Sequence, residues 1–415
     1  MTFLKRFGKF NHASPTVGIL CSFVIALTFA FSFFLDLRGI LLNHFPKQIQ
    51  LPEIHSSPIF KSFQNCDLFD GKWIRDDTYP LYTSKSCSLM DNGFRCSENG
   101  RNDTAYTKLR WKPNHCELPR FNATKLLELM RNRRFAFVGD SVGRNQWESF
   151  LCMLASSVKN KSSIYEVNGE AISKHKGFLV FIFEEYNCTV EYYRSPFLMY
   201  TGHPPAGAPK GVKTTLRLDL VDWSSKLWKD AHFIVLNTGH WWNYDKTTRW
   251  GCFFQEGGEV KMGMTIETAY RKALGTLMDW IGENINPSKT QIIFRTYSPT
   301  HYMSGDWNTN GSCYEITEPQ QFGQSKNTED FHYKTIFNAL PRNSTALGIE
   351  ILNVTGMSLD RRDGHPSVYY WEKGPAPLNR QDCSHWCLPG VPDSWNEILY
   401  AILLRNIKNN FTDTR

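Results

Sequence analysis

The chain is short of several things that define whole classes of protein. Its 415 residues contain no pair of aspartates two positions apart. It therefore lacks the Asp-x-Asp with which many glycosyltransferases hold the metal of a nucleotide sugar, and only metal-free members of that class stay open. No two cysteines stand three apart, so the paired C-x2-C sets of structural zinc sites are missing and no bound metal is expected. Cys383-x-His385-x-Cys387 offers ligand types but only half a set. Basic residues are scattered and the formal net charge is only +7, which argues against nucleic acid as a partner. There is no internal repeat and no low-complexity block, so repeat architectures are excluded.

Charge is also absent from one long stretch, Pro15–Leu35. Its length suits a helix that spans a bilayer. Lys5, Arg6 and Lys9 precede it, which keeps the N-terminus cytosolic. A cleaved signal peptide needs a small-x-small site, and the bulky Phe33-Phe34-Leu35 does not supply one. The expected layout is a cytosolic tail over 1–14, an anchor over 15–35 and a luminal stem over 36–62 carrying Pro46, Pro52 and Pro58. A luminal domain over 63–415 follows, with a Cys-rich loop region over 63–120 and an α/β core over 121–415. Asn-x-Ser/Thr sequons at Asn102, Asn122, Asn160, Asn187, Asn310, Asn343, Asn353 and Asn410 fit a glycosylated luminal protein and should then lie on the surface.

Of the eleven cysteines, Cys21 lies inside the anchor. Cys66, Cys87, Cys96, Cys116, Cys152, Cys188, Cys252, Cys313, Cys383 and Cys387 remain. Ten is even, and an oxidising compartment would pair them. Spacing leaves the connectivity open.

With 41% apolar and 14% aromatic residues the chain can bury a large core. Phe135–Val138 is an apolar run too short for a helix and suited to a buried strand. Gly139 breaks it, and a helical pattern begins near Arg144 with Trp147, Phe150, Leu151 and Leu154. Short apolar runs at Phe178–Phe183, Thr189–Tyr193, His232–Asn237, Gln291–Thr296 and Ile349–Val354 read as strands, and Thr214–Leu220 as a half-exposed one. Thr265–Ile285, Phe331–Leu340 and Ser394–Ile407 read as helices. Strands alternating with helices predict a parallel sheet with helices on both faces, its parallel set starting at Phe135, His232, Gln291 and Ile349.

That pattern puts Ser141 on a tight strand-to-helix turn, at the sheet edge where open α/β folds bind ligands. An Asp-Ser pair there can simply cap the helix. Asp382-Cys-Ser-His385 at the far end of the chain points further: a carboxylate three residues before a histidine can orient it, and with Ser141 it completes a nucleophile, base and orienter. Backbone N–H groups of Ser141 and Gly143 and the Asn237 amide are the local oxyanion donors. Arg144 and Asn145 open the helix as support or contact. His240-Trp241-Trp242, Tyr297–His301 and Asp360-Arg361-Arg362-Asp363-Gly364-His365-Pro366 follow predicted strands at the same edge. His240, Trp241, Trp242, His301, Arg362 and His365 are the residues there that would meet a substrate, although Asp–Arg pairs would equally hold the last loop together. Gly139-x-Ser141-x-Gly143 also fits an α/β-hydrolase elbow. In that fold, however, acid and histidine come from separate loops, whereas here they are three residues apart.

Gly139-Asp140-Ser141 with Asp382-x-x-His385 resembles the plant trichome birefringence-like family, Golgi polysaccharide O-acetyltransferases related to GDSL/SGNH esterases. The resemblance extends to Cys66–Trp73, Arg110–Cys116, Val138–Ser149, Asn237–Trp242, Arg295–His301, Asp360–Pro366 and Asp382–Gly390. It implies a three-layer α/β/α SGNH-hydrolase-like core, a disulfide-braced N-terminal segment and a single-pass type II Golgi protein. It implies that Ser141 takes an acetyl group from a donor such as acetyl-CoA, with no bound cofactor, and that a cell-wall polysaccharide hydroxyl (xylan, mannan, xyloglucan or pectin) then attacks the acyl-serine. The family's cysteine pattern suits Cys66, Cys87, Cys96, Cys116, Cys152, Cys313, Cys383 and Cys387, with Cys188 and Cys252 as a further pair. The alternatives are a polysaccharide acetyl esterase with the same triad and a non-catalytic carbohydrate-binding wall protein.

Overall fold

A computed structural model describes residues 66–314, 316–319, 330–340 and 347–412, with side chains to 406. The expected tail, anchor and stem lie outside the described residues. Among the described residues no helix is long and apolar enough to cross a membrane.

The strands are β1 Gly71–Arg75, β2 Leu109–Pro113, β3 Arg134–Gly139, β4 Ile164–Glu166, β5 Phe178–Phe183, β6 Cys188–Arg194, β7 Met199–Gly202, β8 Thr214–Val221, β9 Phe233–Asn237, β10 Cys252–Glu256, β11 Glu259–Lys261, β12 Gln291–Arg295 and β13 Ile349–Leu352. The helices are α1 Ala123–Leu129, α2 Ser141–Ala155, α3 Ser225–Trp228, α4 Ile266–Asn284, α5 Phe331–Ala339, α6 Thr355–Leu359 and α7 Val391–Thr412.

The central sheet has seven strands in the order β13-β12-β9-β3-β6-β5-β4. The four expected parallel strands are parallel, and β6 joins them beside β3. The sheet is nonetheless mixed rather than parallel, because β5 and β4 add an antiparallel edge. The chain leaves β3 for β6 on one side and then fills β9, β12 and β13 on the other. The order thus reverses at β3, and a crevice opens outside its carboxyl end.

Side-chain alternation divides the layers. Phe135 and Phe137 point to one face and meet Phe150 of α2 at ring distances of 4.9 and 5.3 Å. Ala136 and Val138 point to the other and join one core with Tyr270, Ala273 and Leu277 of α4. A second sheet, ordered β11-β10-β8-β7, lies on the α4 side and shares that core through Leu216, Leu218 and Phe254. The half-exposed strand expected at Thr214–Leu220 belongs to this sheet.

α2 starts at Ser141, not Arg144, and every residue from Val142 to Ala155 is buried. A helix buried on all sides must satisfy its polar side chains internally. The Gln146 amide donates to Asn396 Oδ1 of α7, the Asn396 amide donates back to the Gln146 backbone carbonyl, and Ser149 donates to Asp393.

The 63–120 region is less loop-like than expected, since β1 and β2 pair antiparallel with Trp73 edge-on to Trp111. Four disulfides join Cys66–Cys116, Cys87–Cys152, Cys96–Cys387 and Cys313–Cys383. Cys188 and Cys252 do not form the expected fifth pair. Both are buried thiols, one in β6 of the central sheet and one in β10 of the second sheet. The sequon residues Asn102, Asn122, Asn160, Asn187 and Asn310 are exposed. Asn353 departs from the expectation: it is half-buried and its amide donates to the Tyr333 hydroxyl. Asn343 and the Asn410 side chain lie outside the described residues.

Alkylation of the denatured, unreduced protein should label Cys188 and Cys252 and leave the other eight described cysteines unmodified. Label at Cys313 or Cys383 would contradict this pairing.

Candidate active site

The Ser141 turn is set by its neighbours. Asp140, in extended backbone at φ −90° and ψ −170°, caps α2. Its Oδ1 accepts from the N–H groups of Val142 (2.9 Å) and Gly143 (3.2 Å) and from the Asn237 amide (2.7 Å). The two glycines serve close approach. A Cβ on Gly139 or Gly143 would lie 2.0 or 1.9 Å from Asn237 Oδ1. The Gly143 N–H is therefore engaged by Asp140, whereas the Asn237 amide gives Asp140 only one of its two N–H groups and keeps the other for an oxyanion. The Ser141 N–H stands at the first helical position, where no intrahelical carbonyl can take it, and it is a further donor available to an oxyanion.

Across the crevice, His385 Nε2 lies 2.8 Å from Ser141 Oγ, and His385 Nδ1 lies 2.8 Å from Asp382 Oδ2. The other Asp382 oxygen accepts from the backbone N–H groups of Ser384 (3.1 Å) and His385 (3.0 Å). One carboxylate thus builds the turn and orients the ring. A carboxylate only accepts, so the Nδ1 proton sits toward Asp382 and the neutral ring turns its Nε2 lone pair to the serine hydroxyl. Burial works to lower the His385 pKa, but the Asp382 charge and hydrogen bond outweigh it and hold the ring above its ordinary value. Burial likewise raises Asp382, yet His385 and the turn N–H groups hold it well below the usual carboxylate range. Ser141, Asp382 and His385 are all partly exposed.

The histidine loop is held from behind. Asn145 brackets Trp386 in both directions, accepting from its N–H at 2.7 Å and donating to its carbonyl at 3.1 Å. His365 Nδ1 donates to the His385 carbonyl at 2.6 Å, which leaves His365 Nε2 as an acceptor for His301 Nδ1–H at 2.7 Å. This order of protons requires the His365 ring to be neutral, because its Nε2 must offer a lone pair. Burial drives His365 down to about 4 and His301 to about 2, with their mutual proximity and the Arg362 charge adding to the effect on His301. Neither ring is a substrate contact, contrary to the expectation from sequence. Trp242 is also withdrawn: it is fully buried and donates to Thr238 Oγ1 at 2.9 Å.

The remaining predicted residues divide. Buried Arg144 pairs with Glu148 and Asp91 and lies over Phe94, whose ring is 5.6 Å from His385. It supports the wall behind the base. Burial and the Asp91 charge raise Glu148 to about 7 despite Arg144. His240 Nδ1 lies 3.4 Å from Asp140 Oδ2, and its ring packs against Tyr297 at 4.6 Å with the planes tilted by 32°. Burial raises Asp140, but His240, Arg295 and Asn237 hold it far below the usual carboxylate range. Trp241 and Arg362 are half-buried. Within the 360–366 loop, Arg361 and Asp363 form a fully buried bidentate pair with Arg361 over Trp73, so this loop does hold itself together.

Sequence reasoning gave Asp140 only a capping role and missed Ser298, which accepts from Trp386 Nε1 at 3.1 Å. It also missed Arg194 and Lys246, which flank Trp241. The cysteines on either side of His385 are both in disulfides and cannot ligate zinc. Among the described residues no three metal-ligating side chains converge.

Comparison with known proteins gives a consistent picture. Residues 118–402 match the GDSL/SGNH-like acyl-esterase family found in Pmr5 and Cas1p, and residues 64–117 match the PMR5 N-terminal domain. The chain is 48% identical over 351 residues to trichome birefringence-like protein 9 of Arabidopsis thaliana, covering 82% of this chain and 84% of that one. It is 46% identical over 350 residues to the trichome birefringence protein of the same plant, covering 83% of this chain and 57% of that longer protein. It is 36% identical over 368 residues to xylan O-acetyltransferase 13 of Oryza sativa subsp. japonica, covering 83% and 71%.

The rate at which a fluorophosphonate modifies Ser141 should rise with pH through one deprotonation, with its midpoint above 6.5, the ordinary histidine value. Asp382 stabilises the imidazolium, so Asp382→Asn should move that midpoint down and slow the reaction by roughly 10²-fold or more. An unmoved midpoint would separate Asp382 from the base.

Proposed function

The chain belongs to the trichome birefringence-like family of GDSL/SGNH-like acyl-esterases, and from that premise we propose that it is a polysaccharide O-acetyltransferase working through acetyl-Ser141. The observation that carries this is the contact of His385 with both Ser141 Oγ and Asp382, each at 2.8 Å. A serine hydroxyl is a weak nucleophile at neutral pH and needs such a base.

In the first half-reaction His385 Nε2 takes the Ser141 proton as Oγ attacks the carbonyl carbon of an acetyl donor, with acetyl-CoA as the thioester of choice. The developing oxyanion is met by the Ser141 N–H at the positive end of α2. The C–S bond breaks, and the thiolate leaves with the proton from His385. In the second half-reaction a sugar hydroxyl gives its proton to His385 and attacks the acetyl-serine carbon. Ser141 Oγ leaves and recovers that proton. Asp382 keeps the ring in one tautomer and compensates each imidazolium. The acceptor class is a cell-wall polysaccharide, as the xylan O-acetyltransferase relative suggests. The uncharged Pro15–Leu35 stretch behind Lys5, Arg6 and Lys9 supports a type II anchor with the catalytic domain in the Golgi lumen.

Incubating the purified 63–415 segment with acetyl-CoA and a panel of oligosaccharides should yield acetylated sugar by mass spectrometry, and a quench before sugar is added should trap acetate on Ser141. Ser141→Ala should lower transfer by roughly 10⁴-fold or more. Release of acetate with no acetylated sugar would make the protein an esterase, and undiminished transfer by Ser141→Ala would overturn the acyl-serine route.

A further inference from the structure

Beside the crevice, cations and indoles alternate. The Arg194 guanidinium lies 5.1 Å from the centre of the Trp241 ring, and the Lys246 ammonium lies 5.4 Å from that same ring and 5.2 Å from Trp307. Among the described residues neither Arg194 nor Lys246 has a carboxylate within ion-pair reach. The one acid woven into this edge, Asp245, is already engaged by Arg249 on one oxygen and by Trp307 Nε1 and Asn308 on the other. Trp307 is 50% exposed and Trp250 is 64% exposed. Large exposed aromatics next to uncompensated cations favour a ring-bearing anion.

Position narrows the choice of anion. Arg194 ends β6 directly opposite Gly139 of β3, two residues before Ser141. Trp241 follows His240, which faces Asp140. The row therefore begins at the strand end beside the one that leads into the nucleophile. The phosphates of a coenzyme thioester sit a long flexible arm away from the acetyl group and do not belong at the Arg194 end of the row. The Trp307 loop is joined at its base to the histidine loop by Cys313–Cys383, and its tip meets the Asp245–Lys246 turn. The row is thus a ledge fixed to both sides of the catalytic crevice.

We infer that this ledge is an acceptor subsite for a uronate-bearing glycan, with Arg194 and Lys246 taking carboxylates while Trp241 and Trp307 take sugar faces. This rests on the acetyltransferase reading and deepens it, since it selects acidic over neutral chains among the open acceptors.

The test pairs an oligogalacturonide with the same oligosaccharide methyl-esterified at its carboxyls. Equilibrium binding is measured calorimetrically on Ser141→Ala protein, which does not depend on turnover. The acidic ligand should bind about tenfold or more tighter, its affinity should fall with salt, and Lys246→Met or Arg194→Met should each weaken it about tenfold while leaving the ester unchanged. In the wild-type background these substitutions should raise KM for the acidic acceptor and leave kcat and the KM for acetyl-CoA alone. Equal binding of acid and ester would overturn the ledge, as would a variant effect that falls on acetyl-CoA. Acid-selective binding without any transfer would keep the ledge and overturn the acetyltransferase reading instead.

Discussion

A loop-borne imidazole has to stay within hydrogen-bond distance of an alcohol that belongs to a different part of the chain. The Asp382–His385 turn has no helix or strand of its own to fix it, and an unsupported surface loop would sample many positions. Most of the unusual features of the molecule answer that constraint. Cys313–Cys383 ties the turn to the loop after β12, and Cys96–Cys387 ties it to the N-terminal region. The second closes a separation of 291 residues. A loop of that size removes on the order of 5 kcal/mol of entropy from the unfolded chain. The N-terminal region also grips the 360–366 loop behind that turn, with Arg101 donating to the carbonyls of Asp363 and His365, and His365 in turn holds the His385 carbonyl. It is a clamp on the base as much as a separate module.

The clamp is polar and buried, so its chemistry must be complete. Asn145 holds the Trp386 backbone through both its N–H and its carbonyl, while His301 donates to His365 and His365 donates to the His385 carbonyl. Burial keeps the two histidines neutral, and a proton on His365 Nε2 would break the bond it accepts from His301. Elsewhere burial favours the opposite group. Asp393 is raised to about 6 and Glu397 to about 7, chiefly by burial, while Tyr82 and Tyr79 of the N-terminal region donate to them. An unpaired member of such a network costs far more than the bond itself contributes. Removing one side of the buried Arg361–Asp363 pair would cost about 3–5 kcal/mol.

The sequence made the nucleophile and its base legible for physical reasons. An apolar run broken by glycine before a helical pattern can only place Ser141 at a strand end. A carboxylate three residues from a histidine in a proline-bounded stretch can only reach back on its own turn. Partners in space are a different matter. His301, His365 and Trp242 follow strands at the ligand edge, as a binding residue would, and nothing in their spacing shows that they face inward. Cys188 and Cys252 made an even count, but parity does not bring two sheets together. β6 read correctly as a strand, yet the sequence did not show that it lies beside β3, because parallel neighbours are set by the crossover and not by the strand. The Asp–Arg loop fitted both of its readings until the burial of Arg361 decided between them.

The triad leaves one question that its own geometry does not answer, because water and a sugar hydroxyl can each attack an acyl-serine. His385 is partly exposed and serves either nucleophile. The outcome then depends on which of them spends more time at the acyl carbon in a reactive orientation. Holding a reactant in place is worth about 7–11 kcal/mol in effective concentration, which is ample against a solvent that binds nowhere in particular. That advantage has to come from outside the triad. The cation and indole row supplies a fixed surface beside the crevice, bonded through its loop to the segment that carries the base. On this reading the choice of transfer over hydrolysis lies beside the catalytic residues, in the surface that holds the acceptor still.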